Sequence, residues 1–207
     1  MVSRLLIASL LLFCLVENCY GTVLFSSLKR TLVVTASPKA GEVLKAGEEQ
    51  ITVNWGFNQS FPAGTDTAYK SVKVKLCYAP ISQIDRSWRK TNDDLSKDKT
   101  CPNLIVSKPY DTSKNNVEQS FDWTITRDVP TATYFVRAYA YNSAGEEVGY
   151  GQTTDAKKTT NLFEIQGISG RHASLDIAAG CFSAFSVASL VGFFFLEKRK
   201  AKMSVQE

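Results

Sequence analysis

The chain has 207 residues, with 24 Lys and Arg against 20 Asp and Glu and a formal net charge of +4. Much of that surplus lies in the last few residues, so no basic field marks a nucleic-acid surface. A single histidine and five cysteines leave little material for a metal centre or a Cys/His or Ser/His pair, so no catalytic, cofactor or metal residue is assigned.

In chain order, Arg4 precedes an apolar run from Leu5 to Val16, and Cys19-Tyr20-Gly21 places small residues before a cleavage point after Gly21. Residues 1–21 are therefore read as a signal peptide. A second membrane span is the alternative, but the run is short and ends in Glu17 and Asn18. With Cys14 and Cys19 in the leader and Cys181 in a later apolar run, only Cys77 and Cys101 remain to pair in an oxidising compartment. Closing that loop is worth about 3.5 kcal/mol in the chain-entropy account. Asn58-Gln59-Ser60 is an N-glycosylation sequon, which makes Asn58 a candidate modification site.

Residues 22–152 read as strands. Ile51, Val53 and Trp55 share one face; Val72, Val74, Leu76 and Tyr78 alternate with Lys73, Lys75 and Cys77. Phe121, Trp123 and Ile125 alternate with polar residues, and Tyr134, Val136, Ala138 and Ala140 with Phe135, Arg137, Tyr139 and Tyr141. Turn signals at Phe61-Pro62-Ala63-Gly64, Asp128-Val129-Pro130 and Asn142-Ser143-Ala144-Gly145 separate these runs. The order resembles an immunoglobulin or fibronectin type III sandwich, with Trp55 as the core tryptophan and Tyr134 at the corner leading into strand F. The fold class is thus all-β, with one apolar helix to follow.

If Val74 and Leu76 point inward, Cys77 points outward, and the bridge ties the insertion 79–100 onto the domain surface. That insertion is dense in charge, with Trp88 at its centre. It suits a binding surface carrying Arg86, Trp88, Arg89, Asp93, Asp94 and Asp98. The other reading is a solvated loop with Trp88 tucked beneath it. Likewise Phe135, Arg137, Tyr139 and Tyr141 line an outer face that either meets a partner or is covered by neighbouring basic side chains.

Residues 153–176, rich in Lys, Thr, Gly and Ser, are read as a juxtamembrane linker that holds His172, the only histidine. Ile177–Leu196 is twenty residues without a charge, enough for a helix to cross a ~30 Å hydrocarbon core. The basic tail 197–207 beyond it predicts a cytoplasmic C-terminus and an extracellular domain, a type I arrangement. Gly180, Ala184, Ala188 and Gly192 form a small-residue stripe on which another helix could pack. No ionisable group interrupts the span, and a lone span encloses no pathway, so any transport role has to come through a partner.

Five segments together carry a family likeness: Lys75-Leu76-Cys77-Tyr78-Ala79-Pro80, Asp85-Arg86-Ser87-Trp88-Arg89-Lys90, Lys97-Asp98-Lys99-Thr100-Cys101-Pro102, Thr133–Ala140 and Gly170–Ile177. In this order they resemble the plant accessory proteins of high-affinity nitrate transport. The resemblance runs from the leader to the tail and is least clear between Thr22 and Asp66. It implies a plasma-membrane partner of a polytopic nitrate transporter of the major facilitator class, needed for that transporter's stability, placement or activity. It also implies a chain that does not itself carry nitrate. The stripe and the insertion would be the two contact surfaces. An adhesion or receptor-type module that works without a transporter stays open as the alternative.

Overall fold

The computed structural model describes residues 22–111 and 118–203. The leader assigned to residues 1–21 lies outside the described residues, as does the end of the tail. The chain divides into two units, one ending at Ile168 and one beginning at Ser169.

The first unit is a two-sheet sandwich. Strands β1 (Leu32–Ala36), β3 (Gln50–Phe57) and β6 (Gln119–Thr124) form an antiparallel sheet in the order β1-β3-β6. The second sheet runs β2 (Val43–Lys45), β9 (Phe163–Gln166), β7 (Ala132–Tyr141), β4 (Ser71–Tyr78) and β5 (Asn103–Pro109), with β8 (Glu147–Gln152) also on β7. Alternation along β3 places Ile51, Val53 and Trp55 inside, as the sequence predicts. Val72, Val74 and Leu76 of β4 and Tyr134, Val136 and Ala138 of β7 face them across the core.

Strand β7 is the hub. One of its edges pairs with β4 along Tyr134–Tyr141. The other is shared in turn by β9, at Ala132–Tyr134, and by β8, at Arg137–Tyr141. The Tyr134 hydroxyl donates to the Pro130 carbonyl at 2.6 Å, closing the tyrosine corner expected before this strand.

Strand β9 corrects the domain boundary. The expected linker 153–176 belongs to the sandwich as far as Ile168. Phe163 and Ile165 on β9 are fully buried in the core, so this stretch gains too much from burial to stay a solvated tether. Only a few residues remain as a link before the second unit's helix α1 (Ala173–Met203). At 1.5 Å per residue it is about 46 Å long and contains the whole Ile177–Leu196 run. It is the one helix among the described residues long and apolar enough to cross a membrane.

Candidate functional site: the clipped insertion

Cys77 and Cys101 are disulfide-bonded. As the alternation predicts, Cys77 points away from the inter-sheet core. It joins Cys101, Phe135, Tyr139 and Tyr141 in a second apolar cluster on the outer face of β4 and β7. That face is not open. Phe25 and Leu28 from the N-terminal arm, Leu95 from the insertion, and Tyr150 and Leu162 pack over it.

Arg137 sits in the middle of this cluster at 1% exposure. Its Nε and Nη2 both donate to Gln152 Oε1, at 3.1 and 2.9 Å, and its Nη1 donates to the Tyr139 hydroxyl at 2.9 Å. The guanidinium lies 4.3 Å from the Phe25 ring centroid, and Phe25 in turn packs at a tilt against Tyr150, with ring centroids 4.7 Å apart. A buried cation costs little only when hydrogen bonds and ring faces surround it, and here they do. Beside it, Lys73 and Lys75 lie over the Tyr141 and Tyr139 rings, and burial lowers the Lys75 ammonium from its usual range.

The insertion 79–100 divides into two halves of different character. The first carries two single-turn 3-10 helices, Pro80–Gln83 and Ser87–Arg89. It is held to β7 because Ala79 N–H donates to Thr133 O at 2.9 Å and Thr133 N–H to Ser82 Oγ at 2.8 Å. Arg89 turns inward at 7% exposure, with its guanidinium 4.3 Å from the Tyr78 ring centroid and Nη1 donating to Ser82 O. Its Nε has no hydrogen-bond partner among the described residues. Arg89, expected on the contact surface, is therefore a pin between the loop and β4. Successive residues of a 3-10 turn diverge, so the neighbour of an inward Arg89 must face out. Trp88 does, at 62% exposure. Ile81 and Ile84 are similarly bare, and exposed Arg86 donates from Nη1 to Ile84 O at 3.2 Å.

The second half is tied down by its own carboxylates. Asp98 Oδ1 accepts from Asn92 N–H at 3.0 Å, Thr100 N–H at 3.2 Å and Thr100 Oγ1 at 2.6 Å. Asp93 accepts from Ser26 N–H and Ser26 Oγ, each at 2.8 Å. Asp94 accepts from Ser96 Oγ at 2.7 Å and pairs with Lys97 Nζ at 2.9 Å. The bond from Lys97, reinforced by those from Ser96, holds the Asp94 carboxyl below its ordinary value. Asp93, Asp94 and Asp98, expected as outward contact groups, thus serve the loop's own geometry, because short side chains beside free backbone N–H groups close turns.

The arm completes the structure. Leu95 N–H donates to Val23 O at 3.0 Å and Phe25 N–H to Asp93 O at 2.7 Å. The sequence gives no local sign of this docking, since arm and insertion lie about 70 residues apart and meet only in the fold. The bare Ile81 and Ile84 were legible as apolar positions, but the surrounding charges masked them.

The remaining expected sites lie elsewhere. Asn58 is half-buried just after β3, and its Oδ1 accepts from Ser60 N–H at 3.0 Å. Gly180, Ala184, Ala188 and Gly192 are exposed along α1, and a Cβ built on Gly180 or Gly192 meets nothing within 4 Å. Among the described residues no cluster of three or more His, Cys, Asp or Glu could hold a metal ion.

Comparison with known proteins adds the following. A family model described as "High-affinity nitrate transporter accessory, Ig-like domain" matches residues 25–170. High-affinity nitrate transporter 3.2 of Arabidopsis thaliana is 52% identical over 211 residues, covering 100% of this chain and 99% of the relative. High-affinity nitrate transporter-activating protein 2.1 of Oryza sativa subsp. japonica is 54% identical over 179 residues, covering 86% and 82% respectively. Among solved structures, the fibronectin(III)-like modules of Clostridium thermocellum CbhA align over 66% of this chain and 47% of that one, at 18% identity and a TM-score of 0.30. That likeness is too loose to carry an argument.

Proposed function

This chain belongs to the high-affinity nitrate transporter accessory family, and on that footing we propose that it binds a polytopic nitrate transporter and activates or stabilises it. The transporter is of the major facilitator class and lies in the plasma membrane. The accessory is a type I, non-enzymatic subunit, with the sandwich outside and α1 crossing the bilayer.

The observation that carries this reading is the exposed side of the insertion. Ile81, Ile84, Arg86 and Trp88 stand outward on a loop fixed by a disulfide, a buried arginine and a docked arm. A preorganised loop with bare apolar and basic groups loses little entropy on binding, and Trp and Arg are the side chains that dominate protein contacts. The stripe Gly180, Ala184, Ala188 and Gly192 is the second contact, where a transporter helix packs closely within lipid. Asp93, Asp94, Asp98 and Arg89 support the first contact by holding the loop in shape.

Co-purification of an epitope-tagged transporter with the accessory tests the reading. A Trp88→Ala/Arg86→Glu variant is expected to bring down much less transporter than the wild type while keeping its thermal transition. Undiminished recovery would remove the insertion as the contact. No recovery of any transporter by the wild type would leave an adhesion or receptor-type module.

A further inference from the structure

Helix α1 does not stop where its apolar run ends. It continues to Met203, through Glu197, Lys198, Arg199, Lys200 and Lys202. Twenty uncharged residues match the ~30 Å hydrocarbon core, so this extension emerges at the level of the lipid headgroups. Residues on a helix are spaced ~100° apart, so exposed Lys198, Arg199 and Lys200 project over most of the circumference. One turn earlier, exposed Phe193, Phe194 and Phe195 do the same, and Lys198 Nζ lies 5.7 Å from the Phe194 ring centroid.

A partner helix would meet one side of α1 only, as the small-residue stripe does. The cations and the rings each span about 200° of the helix surface, more than one partner helix covers. Lipid headgroups are the neighbour that covers a membrane helix over so broad a sector. We infer that this double collar binds anionic phospholipid headgroups of the cytoplasmic leaflet. The inference rests on the reading that α1 spans the membrane with its tail inside. Four cations against one carboxylate over residues 197–202 reach the charge at which a juxtamembrane segment collects anionic lipid. The phenyl rings, being wholly apolar, stay on the hydrocarbon side and oppose any movement of this end of the helix towards water.

The test uses the full chain in nanodiscs of phosphatidylcholine with a minor share of phosphatidylserine, followed by release into mild detergent and native mass spectrometry of the lipids retained. Phosphatidylserine is expected to be enriched roughly threefold or more over its bulk share at low salt. The enrichment should fall towards unity in high salt. It should fall likewise in Lys198→Gln/Arg199→Gln/Lys200→Gln/Lys202→Gln and survive in Lys198→Arg/Lys200→Arg/Lys202→Arg. Equal retention of both lipids by the wild type overturns the inference, and so does enrichment that the glutamine variant keeps. Alkaline carbonate extraction separates the two levels of failure. A chain that stays in the membrane but shows no lipid preference refutes the collar alone, whereas one released by carbonate refutes the span as well.

Discussion

The ring of Phe25 lies 4.3 Å from the guanidinium of Arg137, and the two belong to parts of the chain more than a hundred residues apart. This contact is the point where the N-terminal arm, the F-strand face and the insertion become one unit. Arg137 is buried against Gln152, Tyr139 and aromatic rings. The backbone of the same arm pairs with Asp93 and Leu95 of the insertion.

Truncating the ring should therefore be felt at a distance. Phe25→Ala removes a cation–π contact worth about 1 kcal/mol and the partial burial of one ring, together about 1–3 kcal/mol. The thermal transition of the purified chain is expected to fall by several degrees. Trypsin should also cut faster at Lys97 or Lys99, on the insertion rather than on the arm. Unchanged cleavage there would mean that the arm and the loop are not coupled.

The disulfide gives the second prediction. Cys77→Ser/Cys101→Ser is expected to cost about 2–4 kcal/mol and to leave the strand signature in circular dichroism intact. The bridge lies outside the main core, so Trp55 should keep its buried fluorescence.

Asp98 and Trp88 separate scaffold from contact. Asp98→Ala leaves the Asn92 and Thr100 backbone N–H groups without their acceptor, and is expected to destabilise by about 1–3 kcal/mol. Trp88→Ala removes a side chain already in water and is expected to shift stability by less than about 0.5 kcal/mol. If both reduce transporter recovery, only Asp98→Ala should do so in proportion to unfolding of the loop, read by proteolysis.

Acid sets a limit on this loop. The Asp94 carboxyl is held below its ordinary value of 3.8, first by the bond from Lys97. A carboxylate with a depressed folded pKa contributes stability that is fully present above its unfolded value and is lost as pH falls through the folded one. Proteolysis of the insertion is thus expected to be flat from pH 7 to about 5 and to rise only below the ordinary carboxylate range. Asp94→Asn should remove part of that acid dependence.

Much of the architecture was legible because β3, β4 and β7 are long enough for alternation to declare which face is buried. Strands β2 and β9 have only three and four residues and pair in parallel with each other. Nothing local distinguishes Phe163-Glu164-Ile165 from a surface anchor. The outer face of β7 shows the same boundary. Its aromatics announce that something covers Phe135 and Tyr139, yet the cover comes from Phe25, Leu28 and Leu95, which only tertiary structure brings there. Within the insertion, residue type pointed the wrong way for Arg89. A ring at Tyr78 and a carbonyl at Ser82 make the inside of this loop a better site for a guanidinium than for an indole. The spacing of charges could not reveal that.

The most direct test of the central claim is nitrate influx at submillimolar concentration in oocytes that express a high-affinity nitrate transporter alone, this chain alone, or both. The proposed role requires influx with both together that is far above the sum of the two alone, and a clear loss with Trp88→Ala/Arg86→Glu. Equal influx from the transporter with and without this chain, across its plausible partners, would contradict the accessory role.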